Sequence, residues 1–186
     1  MAKIFVVAFN TVGAVSINRT HEILSSVFNI PLATGTIKNM VSRCAESLKD
    51  TYEQIRLKMI TLGLIHCDET GSRVDGKTCW VHVASDQNYT YLTINQKRGQ
   101  AGMDAANVLP HANGIIMHDC WSSYWKYQDV THAICCAHLL RELNGVIENH
   151  PEQTWAVRFK ELLLDMKKVH DKALLSGKDE VSCYHR

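Results

Sequence analysis

The sequence predicts an α/β domain built on a mixed sheet, with helices before and after it. Apolar residues recur at helical spacing up to about residue 60, where the period shortens to that of strands. Short apolar runs then alternate with helical stretches. The chain has 186 residues, 46% hydrophobic and 21% charged, which suits one compact core with a helical extension rather than two large separate domains.

Residues 1–9 (MAKIFVVAF) are apolar behind one lysine, like the front of a signal peptide, but no small-residue cleavage site follows, so the chain is read as not secreted. Residues 17–28 have a helical pattern, broken between Pro31 and Gly35. A second run, starting at Thr34 or Thr36, keeps Ile37, Met40, Val41, Cys44, Leu48, Tyr52, Ile55 and Met59 on one stripe. A helix, a turn and a longer helix could read a DNA groove. The second helix carries Glu46, Asp50 and Glu53 beside Arg43, Lys49 and Arg56, which favours a packing or spacer role.

Residues 62–67 form an apolar run consistent with a buried strand. Asp75-Gly76 signals a tight hairpin into a strand over 78–85, and Asp86-Gln87-Asn88 turns the chain into a third over 89–94. A helix over 98–109, closed by Pro110, precedes a strand over 114–118, a short helix over 122–127 and a strand over 132–136. The order β-β-β-α-β-α-β is that of the ribonuclease-H-like mixed sheet. Helices over 138–149 and 153–175 follow, the latter with Trp155, Phe159, Leu162, Met166, Val169 and Ala173 on one stripe.

A net charge of +1 gives no strongly basic footprint, so any case for nucleic acid must come from a site. No stretch has the roughly 20 apolar residues that span a bilayer, so no membrane partner is expected. Cys44, Cys67, Cys79, Cys120, Cys135, Cys136 and Cys183 lack paired-loop spacing, which favours reduced thiols in a cytoplasm.

Asp68 ends one apolar run and Asp119 directly follows another, so both carboxylates fall on neighbouring strands, about 4.8 Å apart in a sheet. Such a pair can share Mg²⁺ or Mn²⁺, and two ions about 3.5–4 Å apart can serve both sides of a phosphodiester exchange. An aspartate at a strand end is also a common turn or cap residue, and spacing alone leaves both readings open. Glu69 faces away from Asp68 if the strand continues, which suits a structural role. Cys135-x-x-His138, with His132 upstream, fits active-site support, core packing or a zinc pair. Glu142 is the first carboxylate on the helix directly after the last core strand, and is either a third ligand or a surface partner of Arg141 or Lys126. Arg73, Lys77, Lys97, Arg98 and Arg141 are candidate phosphate contacts or solvated charge. Trp121, Tyr124 and Trp125 could stack on a base, although packing is favoured for at least two of them.

The motifs His66-Cys67-Asp68-Glu69-Thr70-Gly71-Ser72-Arg73-Val74-Asp75-Gly76-Lys77, Trp80-Val81-His82-Val83, Arg98-Gly99, His118-Asp119-Cys120-Trp121-Ser122-Ser123-Tyr124 and the run from His132 to Leu143 (HAICCAHLLREL) resemble, in order, the catalytic region of insertion sequence 66 family transposases. The resemblance implies a DDE-type DNA transposase with a ribonuclease-H-like core, acting on transposon ends and target DNA as a homo-oligomer. Asp68 and Asp119 would be its first and second catalytic aspartates, with Mg²⁺ or Mn²⁺ as cofactor and the Cys-x-x-His element near the active site. The implied organisation is a helical N-terminal segment over 1–60, a partial catalytic core over 61–150, and over 151–186 the start of a helical insertion, beyond which the third acid would lie. Residues 1–12 fit the family pattern poorly, and Cys120 stands where the family mostly has glycine. These departures imply a truncated element copy, with two rivals: an inactive remnant that binds DNA or transposase protomers, and a ribonuclease-H-like nuclease that would need Glu142.

Overall fold

The computed structural model describes residues 2–177, which leaves Cys183 outside the described residues. The chain divides into two compact units, Met1–Lys58 and Met59–Arg186. In the first, helices α1 (Ala2–Asn10), α2 (Ile17–Ser26) and α3 (Thr34–Ser47) enclose a small core around Val6, Leu24 and Ile37, all fully buried. The apolar opening of the chain is thus a core helix. Ser16 caps α2, its hydroxyl accepting from the Arg19 amide at 3.3 Å.

The long second helix expected from the stripe is two helices. α3 ends at Leu48 and α4 (Lys49–Thr61) follows at once. The Ser47 hydroxyl donates to the Cys44 carbonyl at 2.8 Å, one of the local bonds by which serine competes with a continuing helix. Leu48 and Tyr52 of the stripe are exposed.

In the second unit, β1 (Leu64–Val74), β2 (Lys77–Ser85), β3 (Thr90–Asn95), β4 (Ile115–His118) and β5 (Thr131–Ile134) form one five-stranded sheet in the order β3-β2-β1-β4-β5. The first three strands pair antiparallel, and β4 and β5 run parallel to β1. This is the ribonuclease-H-like fold. The β1–β2 hairpin turns on Asp75 and Gly76, both at positive φ (50° and 75°), the backbone that a type I′ turn demands and that glycine adopts freely. β1 runs seven residues past Cys67, because β2 pairs with it through Val74.

The helix expected over 98–109 is shorter: α5 (Gln100–Ala106) stops where Asn107 takes a left-handed φ of 56°, and Leu109–His111 form a separate 3₁₀ turn. A second 3₁₀ turn, Tyr124–Lys126, stands where the short helix was expected. α6 (Cys136–Asn149) and α7 (Thr154–Leu175) close the described chain. α7 buries Ala156, while Trp155, Phe159, Leu162, Met166 and Val169 of its stripe are exposed. Among the described residues no helix is long and apolar enough to cross a membrane.

Candidate active site

The parallel pairing of β1 with β4 puts His66 opposite Met117. Asp68, still on β1, and Asp119, just past the end of β4, each lie two residues further along the chain from this last pair. Each carboxylate is anchored by one backbone amide: Asp68 Oδ1 accepts from Glu69 N at 2.8 Å, and Asp119 Oδ1 from Trp121 N at 3.0 Å. Asp68 is exposed and Asp119 half-buried, so both remain open to a ligand. Tyr124, 2% exposed, feels both: burial first, then the charges of Cys67, Glu69, Asp119 and Asp68, push its hydroxyl above the usual phenol range.

Two oxygen-bearing side chains at these positions suit a hard cation of the Mg²⁺ or Mn²⁺ type, which keeps several waters and takes the rest of its shell from substrate phosphates. The donor set is incomplete for tight binding. Among the described residues no group of three His, Cys, Asp or Glu side chains is gathered closely enough to hold an ion.

A cleft of ≈ 280 Å³ runs along the same edge, lined by His66, Cys67, Asp68, Val83, Ser85, Met117, Cys135 and His138. Cys135 and His138 therefore face the space that Asp68 faces, and His138 Nδ1 is buried there without a hydrogen-bond partner. Glu142, one helical turn beyond His138 on α6, is exposed and does not line the cleft. Arg141 is exposed on the same helix, and Arg73 and Lys77 flank the β1–β2 hairpin tip.

Lys97 and Arg98 are both exposed, and Arg98 Nε donates to the buried Glu69 Oε1. Its Cζ lies 4.5 Å from the Trp80 ring centroid and 4.1 Å from that of Trp121. Glu69 points away from Asp68, as strand alternation requires. Of the three aromatics after Asp119, Trp121 stacks on Arg98, Tyr124 is core, and Trp125 lies against His132 with ring centroids 4.4 Å apart.

A histidine pair escapes the sequence reading. His118 is fully buried, its ring stacked on Tyr124 at 4.5 Å, and its Nε2 lies 2.9 Å from His132 Nδ1. β5 pairs with β4 so that Ile116 meets His132 and His118 meets Ile134, which sets the two histidines two residues apart in register and on the same face. Matching parity on two adjacent strands was the available signal.

The ribonuclease-H-like sheet thus carries Asp68 and Asp119 just beyond the paired stretch of its central parallel strands β1 and β4. The chain belongs to the IS66 transposase family, whose model matches residues 1–184. The matched span includes residues 1–12, which the sequence reading had set apart. No curated protein matches the chain.

Among solved structures, the dimeric form of the HTLV-2 integrase catalytic core domain in complex with magnesium is similar over 52% of this chain and 81% of that one, at 14% identity and a TM-score of 0.34. Its trimeric form gives 12% identity and 0.32 over 52% and 80%. A simian T-cell lymphotropic virus intasome in complex with the PP2A regulatory subunit B56 gamma gives 12% and 0.32 over 52% and 46%.

Proposed function

We propose that this chain carries the first two carboxylates of a DDE transposase centre, used in the parent enzyme to cut and join DNA at the ends of an insertion sequence. The observation that supports this reading is the β1–β4 register, in which His66 pairs with Met117 and the two aspartates each follow two residues later. Asp68 and Asp119 would hold Mg²⁺ or Mn²⁺, which when bound polarises a phosphate oxygen and lowers the pKa of a bound water or hydroxyl. The chain's own part is to hold the carboxylates in place through the Glu69 and Trp121 amides, near enough to the buried Tyr124 for it to feel both charges. Cys135 and His138 line the adjoining cleft as supporting groups. Arg73, Lys77, Lys97 and Arg141 are placed to meet DNA phosphates without reading sequence. Residues 151–177 would open a helical insertion, and a homo-oligomer on transposon-end and target DNA is the working assembly.

The test is Mn²⁺ binding, followed by the electron paramagnetic resonance signal of the free ion. Weak saturable binding is expected, lost in Asp68→Asn and in Asp119→Asn with the fold unchanged. Binding that survives both changes would remove the site. A parallel cleavage assay on element-end DNA should show no turnover by these 186 residues, because a misplaced or missing ion costs at least about a hundredfold. Cleavage abolished by Asp119→Ala would instead promote Glu142 to third acid.

A further inference from the structure

The Arg98 guanidinium lies between the rings of Trp80 and Trp121, 4.5 and 4.1 Å from their centroids, and donates from Nε to Glu69. The Glu69 side chain is 2% exposed. A carboxylate taken that far out of water is strongly disfavoured unless a cation meets it, so Arg98 is needed where it stands. Only the second oxygen, Oε2, lacks a hydrogen-bond partner, and the nearest cationic candidate to it is His82, whose Nδ1 is 3.6 Å away. Gly99, at φ +71°, lets the clamp close: a Cβ there would stand 2.9 Å from Trp121 Cη2.

Of the three residues that Arg98 contacts, Glu69 and Trp121 are the two whose amides hold the aspartates. Glu69 N–H donates to Asp68 Oδ1 and Trp121 N–H donates to Asp119 Oδ1. Arg98 therefore ties the β1 segment carrying one carboxylate to the turn carrying the other, from the opposite face of the sheet. β1 and β4 are paired only as far as His66 and Met117, so beyond that point the sheet ladder no longer fixes the spacing of these segments. The Glu69–Arg98–Trp121 bridge spans the unpaired stretch.

We propose that Arg98 is a positioning residue that sets the separation of Asp68 and Asp119, and with it their capacity to share a divalent cation. This rests on the reading of the two aspartates as a cation site. Residues that hold a metal's ligands in place typically change metal affinity by about 10–100-fold when removed.

The experiment is a Mn²⁺ titration of the full chain, wild type against Arg98→Gln, Arg98→Lys and Asp68→Asn, with circular dichroism on each. Wild-type binding that Asp68→Asn abolishes, and that both Arg98 variants weaken at least about tenfold with secondary structure intact, is the expected result. Lysine keeps the charge but has no planar face to stack between two indoles, so equal loss in Arg98→Lys separates positioning from charge alone. Wild-type affinity in Arg98→Gln overturns the inference while leaving the aspartate site standing. Absence of Asp68-dependent binding in the wild type overturns both. Should the Arg98 variants unfold, Trp121→Ala and Trp121→Phe decide, since both keep the amide that holds Asp119. Weakened binding in the alanine variant with recovery in the phenylalanine variant supports the clamp, and equal wild-type binding in both overturns it.

Discussion

His118 donates from Nε2 to Nδ1 of His132 at 2.9 Å, and the surrounding bonds fix the tautomer of both rings. The Cys120 amide donates to His118 Nδ1 at 3.1 Å, and His132 Nε2 donates to the Tyr127 carbonyl at 3.0 Å. An amide can only donate and a carbonyl can only accept, so both imidazoles are neutral with the proton on Nε2. A further proton on either ring breaks one link.

A pH dependence of stability follows. Burial first, then the neighbouring His132, holds His118 below the ordinary imidazole value, against a smaller opposite pull from Asp119. The unfolded chain therefore takes up the proton first. The contribution is fully present above about pH 6.5 and is lost as pH falls from there through the folded value. Unfolding temperatures measured from pH 8 to pH 5 should show this decline, and it should shrink in His118→Phe, whose ring can still stack on Tyr124. An equal decline in that variant would place the effect on other histidines.

Cys120 sits at φ +72°, where a side chain is strained. Cys120→Gly relieves an αL cost of about 1–2 kcal/mol and adds about 0.5–1 kcal/mol of unfolded-state entropy, for a net gain near 0.5–1 kcal/mol. Thermal unfolding should shift upward by a few degrees. A lower midpoint would mean that the thiol makes a compensating contact.

Thiol reactivity should divide the cysteines by burial. Burial, and after it the charge of Asp68, pushes the Cys67 thiol up to about 12. At pH 8 its thiolate fraction is on the order of 10⁻⁴, against tens of per cent for an unperturbed thiol. Iodoacetamide on the folded chain, read by peptide mass spectrometry, should label the exposed Cys120 and Cys136 and spare the buried Cys67 and Cys79. Early labelling of Cys67 would show that β1 opens readily.

Cys135 and His138 should hold no stoichiometric zinc. A structural zinc site wants four ligands, and no cluster of three is formed among the described residues. Elemental analysis of the purified chain should find well under one zinc per chain. A full equivalent, lost in Cys135→Ser, would make this element a zinc module.

The strand order was legible because Asp75-Gly76 and the apolar runs ending at Cys67 and His118 are local signals. The opposite facing of Asp68 and Glu69 was legible from alternation alone. The full length of β1 was not, since Gly71-Ser72-Arg73 has little strand character and is held extended by pairing with Cys79, Trp80 and Thr78. The Arg98–Glu69 ion pair was not legible, because 29 residues separate the two and only the formed sheet joins them. The break at Leu48 was hidden by a stripe that continues through it. Cys120 was visible solely as a departure from a family glycine, and its backbone angle supplies the reason for that glycine.

β1 puts an open carboxylate on one face and a buried one on the other, in consecutive residues. Insertion or deletion of a single residue between Leu64 and Cys67 would exchange them, turning Asp68 toward Arg98 and carrying the longer Glu69 to the cleft. That stretch is therefore intolerant of odd changes in length, whereas the hairpin tip at Asp75-Gly76 can absorb them. Surviving copies of such an element should vary in length at the tip and hold the count fixed ahead of Asp68.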